Sequence, residues 1–240
     1  MRSLREFTSA RVGLGRAGSS LPTAEMLDFQ MAHAQARDAV HARLDVRALM
    51  MEVEGLGAGV VALASAARDR EVYLRRPDLG RVLSGESREK LISFCGGCLP
   101  PRRLTACITD GLSALAVQRH AVALLKTVAV DGPVVIVEQG RVAIGDEVAS
   151  LLGSEMVAVL IGERPGLSSP DSLGVYLTWK PVPGKTTDAE RNCISNIRPG
   201  GLSFEAAAAK LKFLMNEAQR LKLTGVRLKE RNGDSLPTST

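Results

Sequence analysis

Apolar side chains recur at helical spacing through the first part of the chain. From Thr23, which fits an N-cap, to about Met51, the positions Leu27, Met31, Ala34, Val40, Leu44 and Ala48 mark one stripe, with Gln30, Gln35, Arg37, Asp38 and Arg43 between them. This predicts one long helix or two, packed by one face. Gly55 to Gly59 interrupts the pattern, the segment Tyr73 to Arg81 reads as a turn, and Ser87 to Phe94 predicts a further short helix. Beyond Leu99-Pro100-Pro101 the pattern changes to short apolar runs alternating with helical stretches. Leu104 to Thr109, Pro133 to Val137 and Met156 to Ile161 read as strands, and Leu112 to Lys126 and Ile144 to Leu152 read as helices. Met156 to Ile161 is apolar at every position, as a strand covered on both faces requires. A fourth strand is expected at Gly174 to Trp179 and an Ala-rich closing helix at Phe204 to Leu221. Alternating strand and helix predicts an α/β fold on a parallel sheet with right-handed crossovers. The expected organisation is a mainly helical region over residues 1–100, a sheet domain over 101–228, and a disordered tail over 229–240.

Composition narrows the class. The 240 residues are 45% apolar, and no apolar run approaches the roughly 20 residues of a membrane helix. The net charge of +5 fits a nucleic-acid binder, but eight aromatic side chains leave few stacking platforms and the Arg residues are scattered. Four cysteines, Cys95, Cys98, Cys107 and Cys193, are too few and too uneven for a disulfide framework, which favours a reducing compartment. The first residues lack the continuous apolar segment of a secretory signal, so a cytosolic protein is expected.

In an open parallel sheet, ligands lie across the carboxyl ends of the strands. Here those ends run into Asp110-Gly111-Leu112-Ser113, Glu138-Gln139-Gly140-Arg141-Val142 and Gly162-Glu163-Arg164-Pro165-Gly166-Leu167. Each loop offers a charged group and a glycine that lets a ligand approach the backbone. The alternative is structural: Asp110 and Asp146 serve helix N-termini, Glu163 pairs with a neighbouring Arg, and the glycines serve turns. Gly13-Leu14-Gly15-Arg16-Ala17-Gly18 matches a dinucleotide fingerprint, but no strand precedes it and Asp38 falls inside a helical run. Cys95-Gly96-Gly97-Cys98 has zinc or redox spacing without a second close pair, while His33, His41 and His120 are distant. No His lies near Cys193 in sequence, so a buried inert thiol is the commoner reading there.

Read in order, several of these stretches resemble the small subunit of ethanolamine ammonia-lyase. They are Gly15-Arg16-Ala17-Gly18, Tyr73-Leu74-Arg75-Arg76-Pro77-Asp78-Leu79-Gly80-Arg81, Asp110-Gly111-Leu112-Ser113, Gly162 to Leu167, and Cys193-Ile194-Ser195-Asn196-Ile197 followed by Gly200-Gly201. The resemblance covers nearly the whole chain except the tail. It implies a Rossmann-like parallel sheet with helices on both faces that holds adenosylcobalamin against a large catalytic subunit. That partner would carry the substrate-binding and hydrogen-transfer residues, so no catalytic residue is expected in this chain, which would be inactive alone.

Cofactor contacts implied by the resemblance fall on Val142, Glu163 and Cys193, and adjacent Arg141 is a further candidate for the cofactor's phosphodiester charge. The assembled enzyme would convert ethanolamine to acetaldehyde and ammonia by radical chemistry supplied by the cofactor. None of the three histidines lies in an Asp-x-His-x-x-Gly pattern, which implies cobalamin with its own dimethylbenzimidazole on cobalt. Cys95 and Cys98 are not a recognised family feature. The expected location is the bacterial cytoplasm, with packaging in a bacterial microcompartment linked to longer N-terminal extensions in some relatives. Two other classes stay open at this stage: a stand-alone Rossmann-like nucleotide-binding module and a basic nucleic-acid-binding protein.

Overall fold

The computed structural model describes residues 11–94, 96, 102–130 and 132–229. The Cys95 and Cys98 pair and the tail from residue 230 lie outside the described residues.

The helices begin where short polar side chains can satisfy free backbone N–H groups. Asp45 caps α2 (Val46–Glu54), Asp69 caps α3 (Arg70–Arg75), Ser113 caps α5 (Ala114–Val128) and Ser203 caps α7 (Phe204–Leu221). The first helix, α1 (Thr23–His41), departs from expectation, because Thr23 is its first residue and the preceding Pro22 makes no side-chain cap. Only Ala32 and Ala39 of α1 are buried, so its large apolar residues are not packed on this chain. Two further helices are α4 (Gly85–Phe94) and α6 (Ile144–Leu152).

Six strands form one sheet: β1 (Val60–Ala64), β2 (Arg102–Thr109), β3 (Val134–Glu138), β4 (Ser154–Gly162), β5 (Leu173–Trp179) and β6 (Arg191–Ile197), in the order β1-β3-β2-β4-β5-β6. The first four are mutually parallel, but β5 runs antiparallel to β4 and β6 antiparallel to β5. The expectation of a wholly parallel, Rossmann-like sheet is thereby corrected to a mixed α/β sheet. The cause is the connection after β4. Residues 163–172 contain no helix, and a parallel return needs a crossover of a dozen or more residues. Two strands lie beyond the expected elements. The edge strand β1 comes from within the first hundred residues and pairs with β3, and β6 occupies a segment around Cys193 for which no element was expected.

Apolar burial is divided between the two faces. On one, α2, α5 and α7 supply Leu49, Val53, Val117, Leu124 and Leu211 against Ile108, Ile136, Leu160, Val175 and Ile194. On the other, α4 and α6 supply Leu91, Ile144, Val148 and Leu152 against Leu63, Val135, Val157 and Val159. Each fully buried Leu or Ile contributes about 1.5–3 kcal/mol relative to exposure, so these two layers hold the helices on the sheet. Coverage is uneven. While α6 packs on β2 and β4, the same face of β5 and β6 leaves Tyr176 half-buried and Cys193 and Ser195 exposed. That opening is where the candidate site lies.

Candidate functional site

A cleft of about 840 Å3 starts at the carboxyl ends of β3, β2 and β4 and runs onto the open face of β5 and β6. Its walls come from Arg141-Val142-Ala143 after β3, Gly111-Leu112 after β2 and Gly162-Glu163-Arg164 after β4. Tyr176, Arg191 and Ser195 form its floor, and Gly184 to Asp188 in the β5–β6 connection form its far side. Three of the four residues expected from the sequence, Arg141, Val142 and Glu163, are therefore brought together. Cys193 does not line this cleft; it sits on β6 directly opposite Tyr176 and faces an adjoining groove with Ser195, Asn196 and Lys210. Its thiol is pushed above the ordinary cysteine range chiefly by desolvation, which disfavours the thiolate that a nucleophile needs.

Glu163 acts first as a joint. Its carboxylate accepts hydrogen bonds from the Ser172 hydroxyl at 2.5 Å, the Ser195 hydroxyl at 2.5 Å and the Asn196 amide at 3.2 Å. These donors come from both sides of β5, so one side chain ties the β4–β5 connection to the end of β6. Pairing with a neighbouring Arg, the structural alternative, is not what the geometry gives. An ionised carboxylate offers about four acceptor positions, and three are filled.

Arg141 is fixed from behind. Its amide donates to Gly80 O at 2.7 Å, its Nη2 donates to Tyr73 O at 3.2 Å, and its guanidinium lies 4.1 Å from the Tyr73 ring centre. Arg70 stacks on the same ring at 4.8 Å, and the Tyr73 hydroxyl donates to Gly140 O. Within this stack Arg141 Nε is buried and has no hydrogen-bond partner. Val142 is half-buried against the apolar layer beneath α6.

Asp110 does not reach the cleft. It is 1% exposed, with Arg70 Nη1 at 3.4 Å, and that same nitrogen donates to Gly111 O at 2.8 Å. Burial pushes its carboxyl up to about 6, against the opposing pull of Arg70 and the Gln139 and Gly140 amides. Asp146, in the first turn of α6, makes a buried pair with Arg191. The glycines are demanded by packing instead of by a ligand: a Cβ on Gly162 would stand 2.0 Å from Ser113 O, and one on Gly111 would stand 2.3 Å from Ile161 Cγ1.

Tyr73, Tyr176, the Gly184 to Asp188 turn and Arg191 were not singled out from the sequence as site residues. The signal available for the turn was Pro181-Val182-Pro183-Gly184 following the apolar run of β5, which marks a turn at the end of a strand. Asp38 lies within α1 and not at a strand end, in line with the rejection of the dinucleotide reading. No helix among the described residues is long and apolar enough to cross a membrane.

Comparison with known proteins matches this chain to one family. The profile of the ethanolamine ammonia-lyase light chain matches residues 1–229. The chain is 54% identical over 237 residues to the ethanolamine ammonia-lyase small subunit of Azotobacter vinelandii, covering 95% of this chain and 87% of that protein. It is 55% identical over 235 residues to the small subunit from Xanthomonas campestris pv. campestris, covering 95% and 86%. Identity to the Bradyrhizobium diazoefficiens small subunit is 51% over 243 residues, covering 98% and 92%. With a family match over almost its whole length and identities above one half, the chain belongs to the ethanolamine ammonia-lyase light-chain family, the small subunits of an ammonia-lyase.

Proposed function

We propose that this chain binds adenosylcobalamin in the cleft described above and presents it to a large catalytic subunit that converts ethanolamine to acetaldehyde and ammonia. The observation that carries the reading is the cleft itself, which gathers Arg141, Val142 and Glu163 at one strand edge and stays open on its outer side. A corrin ring with its amide side chains and nucleotide tail is larger than this cleft encloses, so a second protein surface is needed to cover it.

The residues fit such a ligand. Val142 and the ring of Tyr176 offer apolar contact, Glu163 keeps one acceptor position for a side-chain amide, and the unpartnered Arg141 Nε is a donor suited to a phosphodiester. Cys193 adds a small contact at the rim, beside Tyr176. When bound, the cofactor supplies the radical chemistry. This chain's part is to hold and orient one side of it while the partner binds ethanolamine and excludes water. The region up to about residue 100 packs on the large subunit through the apolar side of α1. The assembled enzyme works in the bacterial cytoplasm.

Co-expression with the large subunit and titration of adenosylcobalamin, followed by its visible spectrum, tests this reading. The complex binds the cofactor and deaminates ethanolamine, and the chain alone does not. In the assembled Glu163→Ala variant, loss of a charge-assisted hydrogen bond weakens cofactor binding by roughly 1.5–3 kcal/mol. Deamination by the isolated chain, or unaltered affinity in the variant, contradicts it.

A further inference from the structure

One buried ion pair joins the Arg141–Ala143 wall of the cleft to its floor and its far side. The side chains of Asp146 and Arg191 are each 1% exposed, and two parallel contacts of 2.7 Å connect the carboxylate to Nη1 and Nη2. The same guanidinium donates from Nη1 to Thr178 Oγ1 at 3.1 Å and from Nη2 to Thr186 O at 3.4 Å, while its Nε makes no hydrogen bond and lies 3.5 Å from Asp188 Oδ1. Asp146 stands in the first turn of α6, immediately after Arg141-Val142-Ala143. Arg191 opens β6, and Thr186 and Asp188 belong to the β5–β6 connection that bounds the cleft.

A pair of this kind is a poor device for stability alone. Desolvating two charges costs several kcal/mol per ion, and well-packed apolar replacements of both partners are often as stable or more so. What apolar side chains cannot reproduce is direction: the fork fixes Arg191, and Arg191 in turn fixes the carbonyl of Thr186 relative to the start of α6.

We propose that Asp146 and Arg191 are a positioning pair for the cofactor cleft, setting the distance between the Arg141–Val142 wall and the Thr186–Asp188 wall. The inference rests on the cobalamin reading above. With the pair intact the β5–β6 connection is preorganised, so binding does not have to order it. With the pair removed the sheet keeps its core, which lies elsewhere in the two apolar layers, while the far wall of the cleft loses its anchor.

The test uses the complex with the large subunit and compares cofactor affinity, assembly and thermal midpoint in wild type and D146L/R191M. The expected result is a folded, assembled double variant with an undiminished midpoint and adenosylcobalamin affinity at least tenfold weaker, the KM for ethanolamine staying unchanged at saturating cofactor. Wild-type affinity in that variant overturns the proposal. Should the double variant not assemble, R191K decides, since it keeps a cation beside Asp146 but has no second arm for Thr186: tenfold weaker binding supports the proposal and wild-type affinity overturns it. Failure of both variants to assemble makes the pair a structural one and overturns it as well. Failure of the wild-type complex to bind cobalamin overturns the cleft reading, and the inference with it.

Discussion

Asp110 illustrates how a residue that looks functional in sequence is turned to structural use. It follows a strand, precedes a glycine and carries a charge, yet it is buried and its carboxylate holds Arg70 and the ends of β2 and β3 together. Its carboxyl rises from 3.8 to about 6 because burial penalises the anion more than Arg70 and the backbone amides favour it. Between these two values the folded chain keeps a proton that the unfolded chain has released. The stability contributed by this group is therefore complete below pH 3.8 and is lost as pH rises through about 6, a change of about 3 kcal/mol. In Asp110→Asn the group no longer titrates. The thermal midpoint of wild type should fall relative to the variant as pH goes from 4.5 to 6.5 in the assembled enzyme, and parallel profiles would contradict this. Sequence could place Asp110, Arg141, Val142 and Glu163 at strand ends because the apolar runs before them were clear. It could not tell which side chains turn towards the cleft, since that depends on partners as remote as Arg70 and Ser195.

Among the elements, those with a strong local signal were legible and those defined by their neighbours were not. The apolar run Met156 to Ile161 of β4 and the capped helices α5 and α7 could be read directly, whereas β1 is a five-residue edge strand between Gly-rich and polar segments. Polar residues on β6 obscured its alternation, because one face packs on α7 and the other floors a cleft. The direction of β5 was in fact available: the connection from Glu163 to Ser172 is too short for a crossover helix. The remaining anomaly is α1, where Met26, Leu27, Phe29 and Met31 are exposed, Leu27 by 56% and Met31 by 63%. Apolar exposure of this extent on one helix marks a surface that is covered in an assembly, and the large subunit is the partner that the proposed function supplies. L27D/M31D should leave the sheet folded, because neither side chain is in its core, and weaken association with the large subunit at least tenfold in a co-sedimentation titration. Undiminished association would remove α1 from the interface.

At the scale of the whole molecule, the position of the three histidines decides what this chain can offer to cobalt. His33 and His41 are exposed on α1, away from the cleft's walls. His120 lies on α5, where its Nε2 is 3.3 Å from Asp171 and its ring is 5.7 Å from that of Phe204 at the start of α7. Both α5 and α7 pack on the face of the sheet opposite α6, while the cleft opens on the α6 side. A histidine of this chain could reach a ligand in the cleft only by passing through or around the sheet. On the cobalamin reading proposed above, no histidine of this chain should therefore replace the cofactor's own base. Electron paramagnetic resonance of the cob(II)alamin state, with nitrogen-15 histidine in this chain and an unlabelled large subunit, reads the ligand directly. The expected superhyperfine pattern is that of the unlabelled base, identical with and without the label. A change on labelling would place an imidazole of this chain on cobalt, and that would require the sheet to open in the assembled enzyme.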